Sequence, residues 1–165
     1  MRHEDLDFLQ TELSRVSNWI QFTDQKAGFI AVFYSAILGY LVSKRDEVLS
    51  HLFFCSQDCD IWVLIFFVSI FFLWLGVYHL FLTVLPKLKN TNAKGSLFFF
   101  GSIATMKLGD YLVKFENLND EEARNQLKEQ IYTNSIIANS KMVSVQKSTK
   151  FLFWSGLLVF MLFII

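Results

Sequence analysis

Three side chains near the middle of the chain have the types and spacing of metal ligands or paired thiols. His51, Cys55 and Cys59 stand four residues apart, so a helix would place them on one face. A zinc site lacks a fourth ligand and the usual close spacing of two cysteines. A disulfide between Cys55 and Cys59 needs the helical turn to open. Two free thiols are therefore the simplest interpretation, and the disulfide stays open.

No catalytic constellation accompanies these residues. The histidines His3, His51 and His79 are far apart in the sequence, and none lies in a local signature with a nucleophilic Ser or Cys. Glycine-rich phosphate loops of the Walker or Rossmann type are absent from the sequence. We therefore expect a protein that is not an enzyme, with no catalytic residues, metal or resident cofactor.

The remaining chemistry is that of cations that could meet an anion. Residues 86–150 carry ten basic and six acidic side chains, whereas 1–26 and 44–60 are each net −2. Contact with anionic lipid headgroups is the first interpretation of the positive segment, and an anionic ligand is the second. The formal net charge of the whole chain is zero, which argues against DNA or RNA as a partner.

Long apolar segments must position these groups. Hydrophobic residues make up 53% of the chain and charged residues 18%. Ile61–Leu85 contains no Asp, Glu, Lys or Arg, and at ~1.5 Å per residue it exceeds the ~30 Å hydrocarbon core of a bilayer. Ala27–Ser43 and Phe151–Ile165 are shorter, and snorkelling lysines can extend them. We predict an all-α membrane protein with about three transmembrane helices, surrounded by the lipid bilayer.

The predicted organisation alternates membrane and cytoplasmic segments. It consists of an amphipathic stalk helix at 1–26, transmembrane helices at 27–43, 61–85 and 151–165, an outer loop at 44–60 and a cytoplasmic helical region at 86–150. Thirteen Lys and Arg residues lie in the predicted cytoplasmic segments and two in the outer loop. Because basic residues accumulate on the cytoplasmic side, this count predicts a multi-pass protein with a cytoplasmic N-terminus.

Helical periodicity continues outside the apolar segments. A heptad seam leads into the first span and consists of Leu6, Leu9, Leu13, Val16 and Ile20. The seam predicts a homo-oligomer, or packing against the face of a second helix from Leu127 to Val145. Asn119 precedes three acidic residues and predicts the start of that helix. Small residues also recur at helical spacing in the first span, at Gly28, Ala31, Ser35 and Gly39. They indicate either a face for close helix packing or ordinary usage of small residues in a membrane helix.

Three motifs lie in order along the chain, at Asn18–Ala27, at the Phe-rich Leu97–Ala104 and at Gln130–Lys141. In order and spacing they resemble the motifs of the Pycsar-type transmembrane effector family of bacterial antiphage defence. Asn18–Ala27 is similar to the opening W-I-x-x-A-D-x-K-A signature of that family, with Thr23 where the family favours Ala. Leu97–Ala104 resembles its Phe-rich segment after the second span, and we expect the apolar start of this segment to be buried. Gln130–Lys141 resembles its closing helix.

The resemblance implies an effector in the bacterial inner membrane that works with a nucleotide cyclase. Its cytoplasmic part would sense a cyclic nucleotide, with a cyclic pyrimidine mononucleotide as one candidate, and its membrane part would impair the membrane. Two alternatives stay open at this point. One is a structural membrane subunit of a larger complex, and the other is a ligand-independent small pore or holin-like toxin.

Two groups of residues are candidates for these functions. The predicted donors to an anionic ring phosphate are Lys94, Lys107, Asn134, Asn139 and Lys141. Trp19, Asp24 and Lys26 lie where the first helix would enter the membrane, so they are predicted to anchor that helix or to couple it to its neighbour. In the coupling interpretation, Asp24 pairs with a cytoplasmic cation, for which Lys141 is the candidate.

Overall fold

The computed structural model describes residues 2–43, 45–46, 49–50, 59–85 and 96–164. Helix accounts for 91% of the described residues and none of them lies in a strand, which confirms the predicted all-α fold. The helices with defined bounds are α1 (Arg2–Ser43), α2 (Cys59–Val84), α3 (Phe100–Ile103), α4 (Leu108–Glu116) and α5 (Asp120–Ile164).

The chain packs as two compact units. The first unit consists of Met1–Phe22 and Pro86–Ser140, and the second consists of Thr23–Leu85 and Lys141–Ile165. Helices α1 and α5 are each continuous and contribute residues to both units.

Helices α1 and α2 contain stretches that are long and apolar enough to cross a membrane. These stretches are Asp5–Ser43 and Leu64–Val84. Of the most apolar 18 residues in each stretch, only 11% and 17% are buried. The core helix of a soluble protein would be mostly buried, so both helices are candidate membrane spans. Helix α1 includes the predicted first span, 27–43, and α2 includes residues 61–84 of the predicted second span. The bounds of the membrane segments stay predictions.

Within the described residues, the segment of α5 that begins at Phe151 is not among the stretches that are long and apolar enough to cross a membrane. It is nevertheless apolar, and several of its large side chains, including Phe153 and Phe160, are exposed. The number of three transmembrane helices therefore stays a prediction.

The core of the second unit combines a few large apolar residues with many small polar ones. Tyr34, Leu73 and Val145 belong to its buried cluster. Five hydroxyl residues are almost completely buried: Thr23, Ser69, Thr83, Ser148 and Ser155. Small side chains let helix backbones approach closely, which is how helices pack where lipid removes the hydrophobic driving force.

The predicted small-residue face of α1 is not part of this core. Among the described residues, a Cβ atom added at Gly28 or at Gly39 would meet no atom within 4 Å, and Ser35 is exposed. Only Ala31 packs against the buried cluster. The prediction of close packing through this face is therefore wrong for the described part of the chain. The helix turns Thr23, Ala27 and Tyr34 inward instead.

In the first unit, helix α5 begins as predicted. The side-chain Oδ1 of Asn119 accepts a hydrogen bond of 2.8 Å from the backbone N–H of Glu122. Three acidic residues follow in the first turn, where they face the positive end of the helix dipole. The predicted N-cap at Asn119 is thus confirmed.

The Phe-rich segment before α3 is held against α5 by one amide side chain. The backbone N–H of Leu97 donates to Oε1 of Gln126 at 2.8 Å, and the Ser96 hydroxyl donates to the same oxygen at 3.3 Å. Leu97 is buried, but Phe100 is 67% exposed. The predicted burial is therefore confirmed for Leu97 and wrong for Phe100, where the chain has already turned into α3.

The heptad seam on α1 is half-buried at all five of its positions, Leu6, Leu9, Leu13, Val16 and Ile20. The same unit contains an ion pair of 3.7 Å between Asp5 of α1 and Arg124 of α5, and Leu127 of α5 is almost completely buried. Packing within the chain therefore covers part of the seam, and self-association through the rest stays a prediction.

Candidate functional site

The second unit contains a nearly buried ammonium group paired with one carboxylate. Nζ of Lys141 lies 2.6 Å from Oδ1 and 2.8 Å from Oδ2 of Asp24, so it donates to both oxygens. The Lys141 side chain is 9% exposed and the Asp24 side chain is 45% exposed. The pairing of these two residues, predicted from the sequence, is present in the structure.

The Asp24–Lys141 pair lies at corresponding positions in the two long helices. Asp24 is the second residue of α1 that belongs to the second unit, and Lys141 is the first such residue of α5. A buried ammonium needs a partner because desolvation otherwise disfavours its charged form. The pair therefore ties α1 to α5 at the point in each helix where the second unit begins.

A second polar cluster joins three helices of the same unit. The Tyr34 hydroxyl of α1 donates a 2.8 Å hydrogen bond to the backbone oxygen of Ser148 in α5. The Ser148 hydroxyl in turn donates to the backbone oxygen of Gly76 in α2 at 2.9 Å. We call Tyr34, Gly76 and Ser148 the hydroxyl cluster. Its bonds satisfy hydroxyls that would be costly to bury alone among apolar side chains.

Glycine at position 76 is required by the approach of Tyr34. A Cβ at this position would overlap the Tyr34 hydroxyl oxygen and lie 2.6 Å from its Cζ atom and 3.1 Å from Cβ of Phe151. The absence of a side chain lets the phenol ring reach α5 directly across the surface of α2. The hydroxyl cluster therefore depends on this glycine as much as on its two hydroxyls.

His79 stands out in the second unit because its ring is stacked but incompletely bonded. Its ring lies parallel to that of Phe151, with 5.6 Å between centroids and 8° between planes. Nδ1 of His79 is buried and has no hydrogen-bond partner among the described residues. The ring therefore contributes packing and leaves one buried polar atom unsatisfied.

The predicted ligand donors that the structure describes have different surroundings. Lys107 and Asn139 are exposed. The side-chain oxygen of Asn134 accepts a 3.1 Å hydrogen bond from Gln130, and Lys141 is committed to Asp24. Asn134 and Asn139 are five residues apart on α5, which separates them by about 140° around the helix axis. Lys94 lies outside the described residues, and the ligand-binding role of all five stays a prediction.

The other candidate residues lie as follows. Trp19 is 51% exposed and packs edge-on against Phe22 at 5.9 Å between centroids, and Lys26 is exposed. His51 and Cys55 lie outside the described residues, as does the side chain of Cys59, so the thiol and disulfide interpretations stay predictions. Among the residues that are described, no group of His, Cys, Asp and Glu side chains is arranged to hold a metal ion.

The hydroxyl cluster is the part of the site that the sequence analysis missed. Tyr34 lies within an apolar run, and a phenol there needs a hydrogen-bond acceptor, so its presence could have indicated a polar contact between helices. The partners could not have been named in advance. Ser148 and Gly76 become candidates only when the rotation of each helix about its axis is known.

These features define an all-helical membrane protein whose apolar helices are joined by one ion pair and a hydroxyl cluster. Residues 8–165 match the family model described as the Pycsar effector protein domain, and the chain belongs to that family. Its role is therefore that of a Pycsar antiphage effector, in a family that is not a known enzyme family. Searches of curated proteins and of solved structures found no match.

Proposed function

We propose that this protein is a ligand-gated membrane effector, which senses a cyclic nucleotide in the bacterial cytoplasm and then impairs the inner membrane. In this proposal the first unit is cytoplasmic and the second unit is embedded in the bilayer. A nucleotide cyclase activated by infection supplies the ligand, and the effector itself performs no covalent chemistry. The active species is a homo-oligomer, because the half-buried seam on α1 leaves apolar surface that a second copy can cover.

The observation that supports this proposal best is the continuity of α1 and α5. Each helix runs without a break from the first unit into the second, and the Asp24–Lys141 pair joins them where the second unit begins. A ligand shifts an equilibrium only by binding one arrangement more tightly than another. Continuous helices give such a ligand a mechanical route, since rotation or translation of a stalk also moves its membrane segment.

The proposed membrane topology has three spans and a cytoplasmic N-terminus. The thirteen basic residues in segments 1–26 and 86–150, against two in 44–60, support this orientation. The segment of α5 beyond Lys150 is the proposed third span. Its exposed aromatic residues Phe153, Trp154 and Phe160 support contact with lipid, because water would disfavour so much apolar surface on a single helix.

Among the predicted donors, Lys107 is the strongest candidate for a phosphate contact. Its side chain is exposed, and it is the N-cap residue of α4, where no side chain of a described residue caps the helix. The free N–H groups of a helix start and its dipole both favour an anion. Asp110 in the first turn opposes this, so the ammonium of Lys107 must supply most of the attraction.

The proposal is tested by dye leakage from liposomes that contain the purified full-length protein. Cyclic pyrimidine and cyclic purine mononucleotides are added one at a time, and leakage is expected with one class at low concentration. Replacing Lys107→Gln should weaken the response about tenfold or more, since a hydrogen bond to a charged group is lost. Lys128→Gln is the matched control, because it removes an exposed lysine of the same unit without changing the response.

Each contrary outcome corresponds to one of the alternatives. Leakage of equal size without any nucleotide would identify a ligand-independent pore. An inserted protein that binds none of the nucleotides and releases no dye would identify a structural subunit instead.

A further inference from the structure

The second unit carries an open groove between α2 and α5, and the described charged side chains that line it lie at one end. The groove has a volume of about 690 Å³ and is lined on the α2 side by Val68 and Phe72. Its α5 side consists of apolar residues that include Trp154 and Met161. The charged side chains that line it are Lys147 and Lys150, which are three residues apart and therefore share one face of the helix.

The length of the groove corresponds to half a bilayer. Eleven residues separate Lys150 from Met161, a distance of about 17 Å along a helix. Half of the ~30 Å hydrocarbon core is of the same length. Trp154 follows Lys150 by one turn, and lysine and tryptophan are the side chains that occupy the headgroup boundary of membrane proteins. The groove thus has the dimensions and order of groups of one membrane leaflet.

Among the described residues, neither of these lysines has a counter-charge. Both are exposed, and no carboxylate pairs with either ammonium in the part of the chain that the structure describes. This differs from Lys141, which is six residues from Lys147 on the same helix and is neutralised by Asp24. A second copy of the chain that covered this groove with apolar side chains would leave both cations unpaired, so an anionic occupant fits the site better.

We propose that this groove binds one anionic phospholipid, with an acyl chain against Phe72, Phe151 and Met161 and the headgroup phosphate between Lys147 and Lys150. The proposal rests on one part of the proposed function, the embedding of α5 beyond Lys150, and does not depend on nucleotide sensing. Cationic residues at headgroup depth attract anionic lipid, and an apolar groove beneath them selects a lipid over a soluble phosphate. Stacking of Phe151 on Phe72, at 6.0 Å between ring centroids, gives the acyl chain a rigid wall.

The test uses full-length protein with Trp154 as its single tryptophan, after Trp19→Phe, Trp62→Phe and Trp74→Phe. The protein is reconstituted in phosphatidylcholine that contains either brominated phosphatidylcholine or brominated phosphatidylglycerol, and bromine quenching of the indole reports lipid in the groove. Quenching should favour phosphatidylglycerol severalfold. The variant Lys147→Gln/Lys150→Gln should lose this preference, so that the two brominated lipids quench the indole equally.

The control and the alternatives keep the result interpretable. Lys128→Gln removes a lysine from α5 in the first unit and should leave the lipid preference unchanged. Equal quenching by both lipids would overturn the proposal while leaving α5 embedded and the proposed function intact. Absence of quenching by either lipid in a monomeric sample would show that α5 is not embedded, which contradicts both. Quenching that develops only when an oligomer is diluted would identify a second copy as the occupant and overturn the lipid site.

Discussion

Lys141 and Asp24 form a pair in which the two partners are buried to different extents. The lysine side chain is 9% exposed and the aspartate 45%, so water solvates the carboxylate but hardly reaches the ammonium. Loss of Asp24 therefore leaves a nearly buried and unpaired cation. Loss of Lys141 leaves an anion that can turn to solvent, which costs much less.

This asymmetry predicts the outcome of a double-mutant cycle. Asp24→Asn should lower the free energy of unfolding by about 1.5–3 kcal/mol, because the nearly buried ammonium of Lys141 loses its counter-charge. Lys141→Met should cost less than about 1 kcal/mol. The double variant should resemble Lys141→Met, with a coupling of about 1 kcal/mol or more in thermal unfolding in detergent. Additive effects of the two single changes would show that the pair contributes no coupling.

The close approach of Tyr34 to Gly76 gives a second testable prediction. Gly76→Ala should destabilise the protein by about 1–3 kcal/mol, because the new methyl group overlaps the Tyr34 ring. Gly39→Ala is the control in open space and should stabilise the helix by about 0.5–1 kcal/mol. Both are measured by thermal unfolding in the same detergent. Tyr34→Leu in the Gly76→Ala background should restore part of the loss, and failure of that rescue would place the clash elsewhere.

The residue scale also shows what sequence reasoning can reach. The ion pair was predictable because Asp24 lies at the end of an apolar span, where a carboxylate needs a cation, and Lys141 is a lysine of the predicted neighbouring helix. The contact between Tyr34 and Ser148 was not predictable, since it depends on how far each helix is rotated about its axis. Periodicity identifies a helix, but it does not tell which neighbour each turn will meet.

Among the helices, the half-buried heptad seam on α1 leads to a prediction about the assembly of the homo-oligomer. Leu9→Glu together with Leu13→Glu places two charges on a half-buried apolar face and should abolish oligomers and toxicity while the protein still inserts. Crosslinking in membranes and growth after co-expression with the cyclase are the measurements. Gln10→Glu with Ser14→Glu is the matched control, because both residues are exposed on the same two turns.

The start of α5 was predictable, whereas the exposure of apolar side chains was not. The cap at Asn119 follows from local chemistry, because its side chain can bond the first N–H groups of the helix. Helix α4 differs, because its apolar residues Leu108 and Phe115 are 74% and 58% exposed. Burial of such residues depends on partners outside the helix, which local sequence does not specify.

At the scale of the whole molecule, two helices carry both activities of the proposed effector. Helices α1 and α5 contain 42 and 45 residues, and each supplies part of both units. A folded sensor on a flexible linker could bind ligand without moving its membrane segment, whereas a continuous helix cannot rotate at one end alone. Proline at an exposed position of α1 near Phe22 and Thr23, where the two units divide, would interrupt this continuous helix. The topology of the protein is measured first, so that the effect of the proline is read only from protein that still inserts into the membrane.

The topology prediction follows from the distribution of basic residues, thirteen in the proposed cytoplasmic segments and two between the first spans. Since Lys and Arg close to a span are retained in the cytoplasm, Cys55 and Cys59 should face the periplasm. A membrane-impermeant maleimide should label them in intact spheroplasts after mild reduction. An introduced cysteine, Lys128→Cys in a chain with Cys55→Ser and Cys59→Ser, should react only after lysis. Labelling of position 128 from outside, with Cys55 and Cys59 protected, would invert the orientation and place the proposed sensor on the wrong side of the membrane for a cytoplasmic nucleotide.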